Sequence, residues 1–165
     1  MRRAIATLAV LAGLLPAASA SAAPVPQEPV VWATVNVCDT RERPNQIGIR
    51  GAMDGLARSS RMYMRFRVQY QTREGAWRTL KSTPLTDSRW VRVASGRRGE
   101  HDAGWSFEFK PPATGGAHVL RGLVLFEWRR GNRVVEHART FTEEGHPGTA
   151  GAAPPDFSAA TCEIA

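Results

Sequence analysis

Hydrophobic and polar residues alternate along much of this chain with the period of two that β-strands require. The clearest run is 62–71, where an apolar residue stands at every second position. Because successive side chains of a strand point to opposite faces of its sheet, we expect the apolar set in the core and the polar set in water. The residues expected in the core are Met62, Met64, Phe66, Val68 and Tyr70. Those expected in water are Arg65, Arg67 and Gln69.

Short segments with this pattern, separated by turn residues, recur between residues 30 and 142. They predict strands at 31–37, 46–53, 62–71, 77–80, 90–93, 105–110, 119–129 and 134–141. A loop rich in glycine and charge is expected after the fifth strand, through Gly104. No stretch combines helical periodicity with capping residues. Regularly spaced short strands are typical of an all-β sandwich or barrel, so the sequence predicts one all-β domain.

The segment 119–129 is the most hydrophobic of the eight, and apolar residues on both of its faces predict a central strand. Its inward face ends in Trp128. Trp105 alternates with polar residues beside two phenylalanines, so both tryptophans are predicted to be buried in the core. Trp32 fits either a buried or an exposed position.

Segments 62–70 and 120–129 resemble strands of immunoglobulin and fibronectin type III modules. The chain is also similar to uncharacterised exported proteins of actinobacteria that carry one such module and a terminal disulfide. The resemblance covers residues 30–142 and implies an immunoglobulin-like or fibronectin type III-like Greek-key β-sandwich of 7–8 strands. It also implies export, but it carries over no catalytic or binding residue.

The first 23 residues have the layout of a secretory signal peptide. Arg2 and Arg3 precede an apolar run at 4–15, and small residues offer cleavage near Ala20 to Ala23. The run is too short to span a bilayer and no second long one follows, so no membrane span is expected in the mature chain. We therefore expect a secreted, extracellular protein, in which a proline-rich lead-in at 24–29 precedes the sandwich.

The chain has two cysteines, Cys38 and Cys162. In an oxidising compartment a disulfide between them is the expected state, with two free buried thiols as the alternative. A zinc site would need further ligands at a suitable spacing, which the sequence lacks. Residues 143–165 are rich in Gly, Ala and Pro and show no pattern that could build a core. They are expected to form a loose tail, tethered to the sandwich only by Cys162.

The formal net charge is +7, and arginine supplies nearly all of the basic residues. The excess indicates either an anionic partner or the codon usage of a high-GC genome. In an immunoglobulin-like topology the loops after the second, fifth and seventh strands gather at one end. The sequence favours scattered solvated arginines that help solubility, and the alternative is a positive end whose guanidinium groups would suit phosphate or carboxylate ligands. The residues concerned are Arg58, Arg61, Arg97, Arg98, Arg129, Arg130 and Arg133.

The sequence contains no catalytic motif: no G-x-S-x-G turn, no H-E-x-x-H and no phosphate-binding glycine loop. No enzyme activity, metal or cofactor is expected. The leading hypothesis is a non-enzymatic extracellular or cell-envelope binding or structural module whose ligand the sequence does not identify. An anionic envelope polymer and another protein are the candidate partners, with no nucleic acid expected. The first alternative is a carbohydrate-binding sandwich that uses Trp77 and Trp90 as exposed platforms, and an exported enzyme is the second.

Overall fold

The computed structural model describes residues 30–113 and 115–165, and over them the chain forms nine strands. The predicted signal peptide and the lead-in at 24–29 lie outside the described residues. Within the described part no helix is long and apolar enough to cross a membrane. The strands are β1 (Val31–Cys38), β2 (Gln46–Asp54), β3 (Ser60–Gln71), β4 (Trp77–Thr79), β5 (Val91–Gly96), β6 (Glu100–Glu108), β7 (His118–Arg130), β8 (Arg133–Phe141) and β9 (Cys162–Ile164).

The strands form two antiparallel sheets. The smaller sheet has the order β1-β2-β6, and the larger sheet has the order β4-β3-β7-β8. In the larger sheet, β4 and β5 both pair with the same edge of β3. Likewise, β8 and β9 both pair with the edge of β7 that faces away from β3. The connections β2–β3, β5–β6 and β6–β7 pass from one sheet to the other. The predicted all-β sandwich is therefore confirmed, with nine strands in place of seven or eight.

The two sheets enclose one hydrophobic core, drawn mainly from β2, β3 and β7. The alternation in β3 predicts its inner face correctly up to Val68, since four of the five apolar residues have no exposed surface. Tyr70 is an exception at 37% exposure, because it lines an open apolar depression with Leu80 and Phe109 at the end of the sandwich. Gln69, expected in water, is 8% exposed. Its burial is tolerated because its side-chain amide bonds to both Thr79 and Arg121.

Strand β6 begins earlier than the alternation predicts. Residues from Glu100 onward, expected to form a loop, pair with β2 in an unbroken antiparallel register. Trp105, expected to be buried, is 40% exposed although it lies opposite the buried Ile49. The reason is position, because β6 is an edge strand of the smaller sheet and, among the described strands, pairs there with β2 alone.

The tail (residues 143–165) is folded onto the sandwich, so the expectation of a loose tail is wrong. Its backbone bonds to the middle of β1: Val35 and Ala159 exchange two N–H···O bonds, and the Ala153 N–H donates to the Asn36 carbonyl. Thr34 and Asn36 are buried beneath it. A chain without apolar periodicity can still pack when its backbone groups find partners, which is why composition alone misled the prediction.

The predicted disulfide between Cys38 and Cys162 is confirmed, with 5.3 Å between the Cα atoms. Cys38 ends β1 in the smaller sheet, whereas Cys162 begins β9 in the larger one. The bridge therefore joins the two sheets and fixes the end of the tail. β9 itself has no counterpart in the sequence prediction because three residues are too few to display a period.

Candidate binding surface

The loops after β2, β5 and β7 meet at one end of the sandwich. The Gly55 N–H donates to the Gly99 carbonyl at 2.9 Å, and the Arg98 N–H donates to the Leu56 carbonyl at 3.2 Å. The Arg61 guanidinium donates to the Gly131 carbonyl in the β7–β8 turn. We call the seven arginines carried by these loops and the adjoining strand ends the arginine pole: Arg58, Arg61, Arg97, Arg98, Arg129, Arg130 and Arg133.

Most of the arginine pole is open to solvent. Five of its members are exposed, and Arg61 is half-buried. Among the described residues Arg129 is the one member with a carboxylate at ion-pair distance. The positive charge of the other six is therefore not neutralised by a neighbouring side chain, and it remains available to a ligand.

Arg129 connects the arginine pole to the outer face of the larger sheet. Its Nε donates to the Glu127 carboxylate at 2.7 Å, and its guanidinium lies 4.3 Å from the Tyr63 ring centroid and 5.3 Å from that of Trp90. These are cation–π distances. These contacts hold the Arg129 side chain against the outer face of the sheet, so Arg129 belongs both to the arginine pole and to that face.

On the same face, farther from the arginine pole, the guanidinium of Arg121 lies between two aromatic rings. The Arg121 carbon Cζ is 4.3 Å from the Trp77 centroid and 3.9 Å from the Phe141 centroid. Its Nε donates to Gln69 at 2.8 Å. Partial burial lowers the pKa of Arg121, but arginine starts so high that the group stays charged. Stacking on the two rings fixes the guanidinium plane.

The outer face of the larger sheet is thus rich in arginines and aromatic rings, which lie around Leu123, Leu125 and Glu127 of β7. We call it the arginine–aromatic face. Its members are Tyr63, Arg65, Arg67, Trp77, Trp90, Arg121, Arg129, Arg139 and Phe141. Cross-strand register explains the arrangement, because side chains of one parity on β3, β7 and β8 share this outer surface.

Asp87 organises the loop between β4 and β5, whose backbone pairs with the edge of β3. Its side chain is 1% exposed, and Arg65 donates to it through two nitrogens, one at 2.8 Å. Ser82 donates to the same carboxylate, and the Arg67 Nε lies 3.5 Å away. The hydrogen bonds from Arg65 are the main reason why the pKa of Asp87 is held well below its ordinary value. The charged form is thus the one that the fold requires.

The same carboxylate positions Trp90. Asp87 accepts a hydrogen bond from the Arg89 N–H at 2.9 Å, and Arg89 has a left-handed backbone with φ +57°. Such a conformation costs a non-glycine residue roughly 1 kcal/mol and persists where neighbouring contacts hold it. The next side chain, Trp90, is directed onto the arginine–aromatic face beside Arg129.

Trp90 separates two open depressions. One, of about 330 Å³, is lined by Arg65, Ser82, Thr83, Pro84, Asp87, Arg89 and Trp90. The other, of about 470 Å³, is lined by Trp90, Leu125, Phe126, Glu127, Val134, His137, Ala138 and Arg139. Both fall in the size range of small-molecule sites. A ligand that occupies both would pass over the indole ring.

The two tryptophans proposed as sugar platforms lie on one face but apart from each other. Trp77 pairs with Gln71 and Val91 pairs with Met64, which places the two rings roughly 20 Å apart along β3. Each is half-buried and lies against a guanidinium. The sequence did not reveal these contacts, because the partner arginines are far from both tryptophans along the chain.

The four histidines, His101, His118, His137 and His146, are on different elements. His146 of the tail stacks on Trp32, with ring centroids 4.4 Å apart. Within residues 30–113 and 115–165, no group of three or more His, Cys, Asp or Glu side chains is arranged to hold a metal ion.

The comparisons with known proteins do not assign this chain to a family. No protein-family model matches the chain, and a search of curated proteins finds no significant match. A functional assignment therefore depends on the geometry of the arginine pole and of the arginine–aromatic face.

Proposed function

We propose that this protein is an exported, non-enzymatic binding module of the cell envelope, and that its ligand is an anionic polymer. The observation that carries the proposal is the arginine pole, where five exposed arginines from three loops meet at one end. Guanidinium groups bind phosphate and carboxylate through paired N–H donors, which makes such a cluster well suited to a polyanion.

The opposite end of the sandwich supports this assignment by contrast. There the β1–β2 loop alternates Arg41 and Arg43 with Asp39 and Glu42, and the β3–β4 turn sets Arg73 beside Glu74. Acidic and basic residues therefore alternate in these loops. Residues 55–59, 97–99 and 129–133, by contrast, include arginines but no Asp or Glu.

Besides the predicted signal peptide at residues 1–23, two features support export. The disulfide between Cys38 and Cys162 is stable in an oxidising compartment. The described residues include no helix able to span a bilayer. We place the mature protein outside the cell, where charged envelope polymers are the most abundant anions within its reach.

The test is co-sedimentation of the purified mature protein with isolated cell walls across a salt series. Binding should weaken steeply as ionic strength rises, because exposed charges are screened within about 10 Å at 0.1 M salt. The variant R97A/R98A should lose most binding at low salt. Its matched control is R41A/R73A, which removes the same charge from the opposite end and should bind like the wild type. Binding that ignores salt, or equal loss in both variants, would overturn the proposal.

Neutral carbohydrate binding is the second candidate function. It is favoured by the two depressions beside Trp90, since sugars pack on indole rings. Sedimentation with a neutral polysaccharide at high salt separates it from the first candidate.

A further inference from the structure

We propose that the anionic ligand is an acidic polysaccharide, whose sugar rings pack on Trp90 while its carboxylates bind the arginines around that ring. This inference rests on the proposed function and narrows it from polyanions in general to one chemical class. It also extends the ligand path from the arginine pole onto the arginine–aromatic face.

The first argument is the mixture of side chains. A polymer of phosphates alone would need arginines and would gain little from aromatic rings. A neutral glycan would need exposed rings and would gain little from fixed cations. On this face the exposed Arg89 and Arg139 line the two depressions beside Trp90, and Arg121 lies between Trp77 and Phe141. A chain of charged sugar rings satisfies both kinds of group at once.

The second argument is the shape of the surface around Trp90. The depressions on its two sides are about 330 and 470 Å³, and an exposed arginine lies in each: Arg89 in the first and Arg139 in the second. From the loop at 87–90 across β3 and β7 to β8 the path covers three strand spacings, roughly 14 Å. That length accommodates an oligosaccharide of a few rings, with carboxylates meeting a cation at each end.

The third argument is rigidity. Asp87 holds Arg65 and the backbone of Arg89, so Trp90 is fixed before any ligand arrives. The guanidinium of Arg129 is likewise fixed by its bond to Glu127. Side chains that are already ordered lose less conformational entropy on binding, which favours affinity for a ligand of matching shape.

The experiment measures binding of three soluble polymers to the mature protein by calorimetry at one ionic strength. Polygalacturonate carries carboxylates on sugar rings, polyglutamate carries carboxylates without rings, and fully methyl-esterified polygalacturonate carries rings without charge. We expect polygalacturonate to bind tightest and both others at least about tenfold more weakly, a difference of about 1.4 kcal/mol.

The variants are W90A and, as the matched control, W105A, which removes an exposed indole from the smaller sheet. W90A should weaken polygalacturonate by about tenfold and leave polyglutamate unchanged, whereas W105A should change neither. R139A provides a second readout that leaves the Trp90 loop intact, and it should weaken both carboxylated polymers. Thermal unfolding of each variant checks that the fold is retained.

The outcomes separate the two proposals. If polyglutamate binds as tightly as polygalacturonate and W90A affects neither, the acidic polysaccharide is excluded while an anionic ligand remains supported. If the esterified polymer binds equally well, the ligand is a neutral glycan and both proposals fail. If no carboxylated polymer binds and cell-wall binding ignores salt, the proposed function itself is wrong.

Discussion

The outer faces of the two sheets of this sandwich differ. On the smaller sheet the protein's own tail packs along β1, where it buries Thr34 and Asn36 and stacks His146 on Trp32, while Asp102, Gly104 and Ser106 of β6 stay exposed. The outer face of the larger sheet has no such cover within the described residues. It carries arginines stacked on aromatic rings instead. The surface that the tail covers contributes to the stability of the fold. The uncovered face, with its fixed charges and aromatic rings, is accessible to a ligand.

The charges follow the same division. On the smaller sheet Arg50 donates to Asp102 across the β2–β6 pair, so its charge is neutralised within the sheet. At the arginine pole the exposed arginines have no such partner among the described residues. Under the proposed function the ligand-binding surface is separate from the surface on which the tail packs, so ligand binding and tail packing should be separable by mutation.

Removing the disulfide should have the largest effect on this difference between the two sheets, because it releases the end of the tail from β1 of the smaller sheet. The variant C38S/C162S opens a loop with a sequence separation of 124 residues. On the chain-entropy model this costs about 5 kcal/mol, less if the unfolded state retains structure. Chemical denaturation of both proteins measures the loss. The tail should also become sensitive to protease before the larger sheet does, and simultaneous cleavage of both would contradict this assignment.

Replacing Asp87 should loosen the uncovered face. D87N keeps the shape of the side chain but removes the charge that binds Arg65 and Arg67, and we expect a loss of about 2–3 kcal/mol of unfolding free energy. Since the folded state holds the pKa of Asp87 below its ordinary value, the carboxylate's stabilisation is complete above the unfolded pKa of about 3.9. It is lost as the pH falls from there toward the folded pKa.

The pH dependence supplies the control for D87N. The difference in unfolding free energy between wild type and D87N should be constant from about pH 5 to 7 and should shrink as the solution is acidified below about pH 4. A difference that persists unchanged at about pH 2 would show that the amide disrupts packing rather than an ion pair.

A smaller effect is expected where the tail departs from β8. The Thr142 hydroxyl accepts a hydrogen bond from the Gly122 N–H at 3.0 Å and donates to the Ala160 carbonyl at 2.6 Å. T142V leaves two buried backbone groups without that partner and should cost about 1–2 kcal/mol by denaturation. Serine at this position keeps the hydroxyl and should recover most of the loss, and an equal cost for T142S would point to the methyl group instead.

The smallest change in stability is expected at the arginine pole. R97A/R98A alters exposed side chains in a loop and should shift the unfolding free energy by no more than about 0.5 kcal/mol. The same variant should lose most binding to cell walls. A large loss of stability would mean that these arginines serve the fold, and the division between the two surfaces would then fail.

The elements that sequence could predict are those in which a long local pattern sets the outcome. Alternation over β3 and β7 identifies their buried faces, and two cysteines in an exported chain predict their bridge. Trp105 and the tail were assigned wrongly, because exposure at a sheet edge and backbone pairing to β1 depend on tertiary neighbours. The arginine pole could be predicted as a group from loop order alone. The stacking of Arg129 on Trp90 could not, because it requires the register between β3, β5 and β7.

The most direct test of the account is amide hydrogen exchange of the mature protein with and without soluble anionic polymer released from the cell envelope. We predict slower exchange in the loops at 55–59 and 97–99 and in the β7–β8 turn, and unchanged exchange in the β1–β2 loop and the tail. Protection of the tail-covered face with none at the arginine pole would contradict the account.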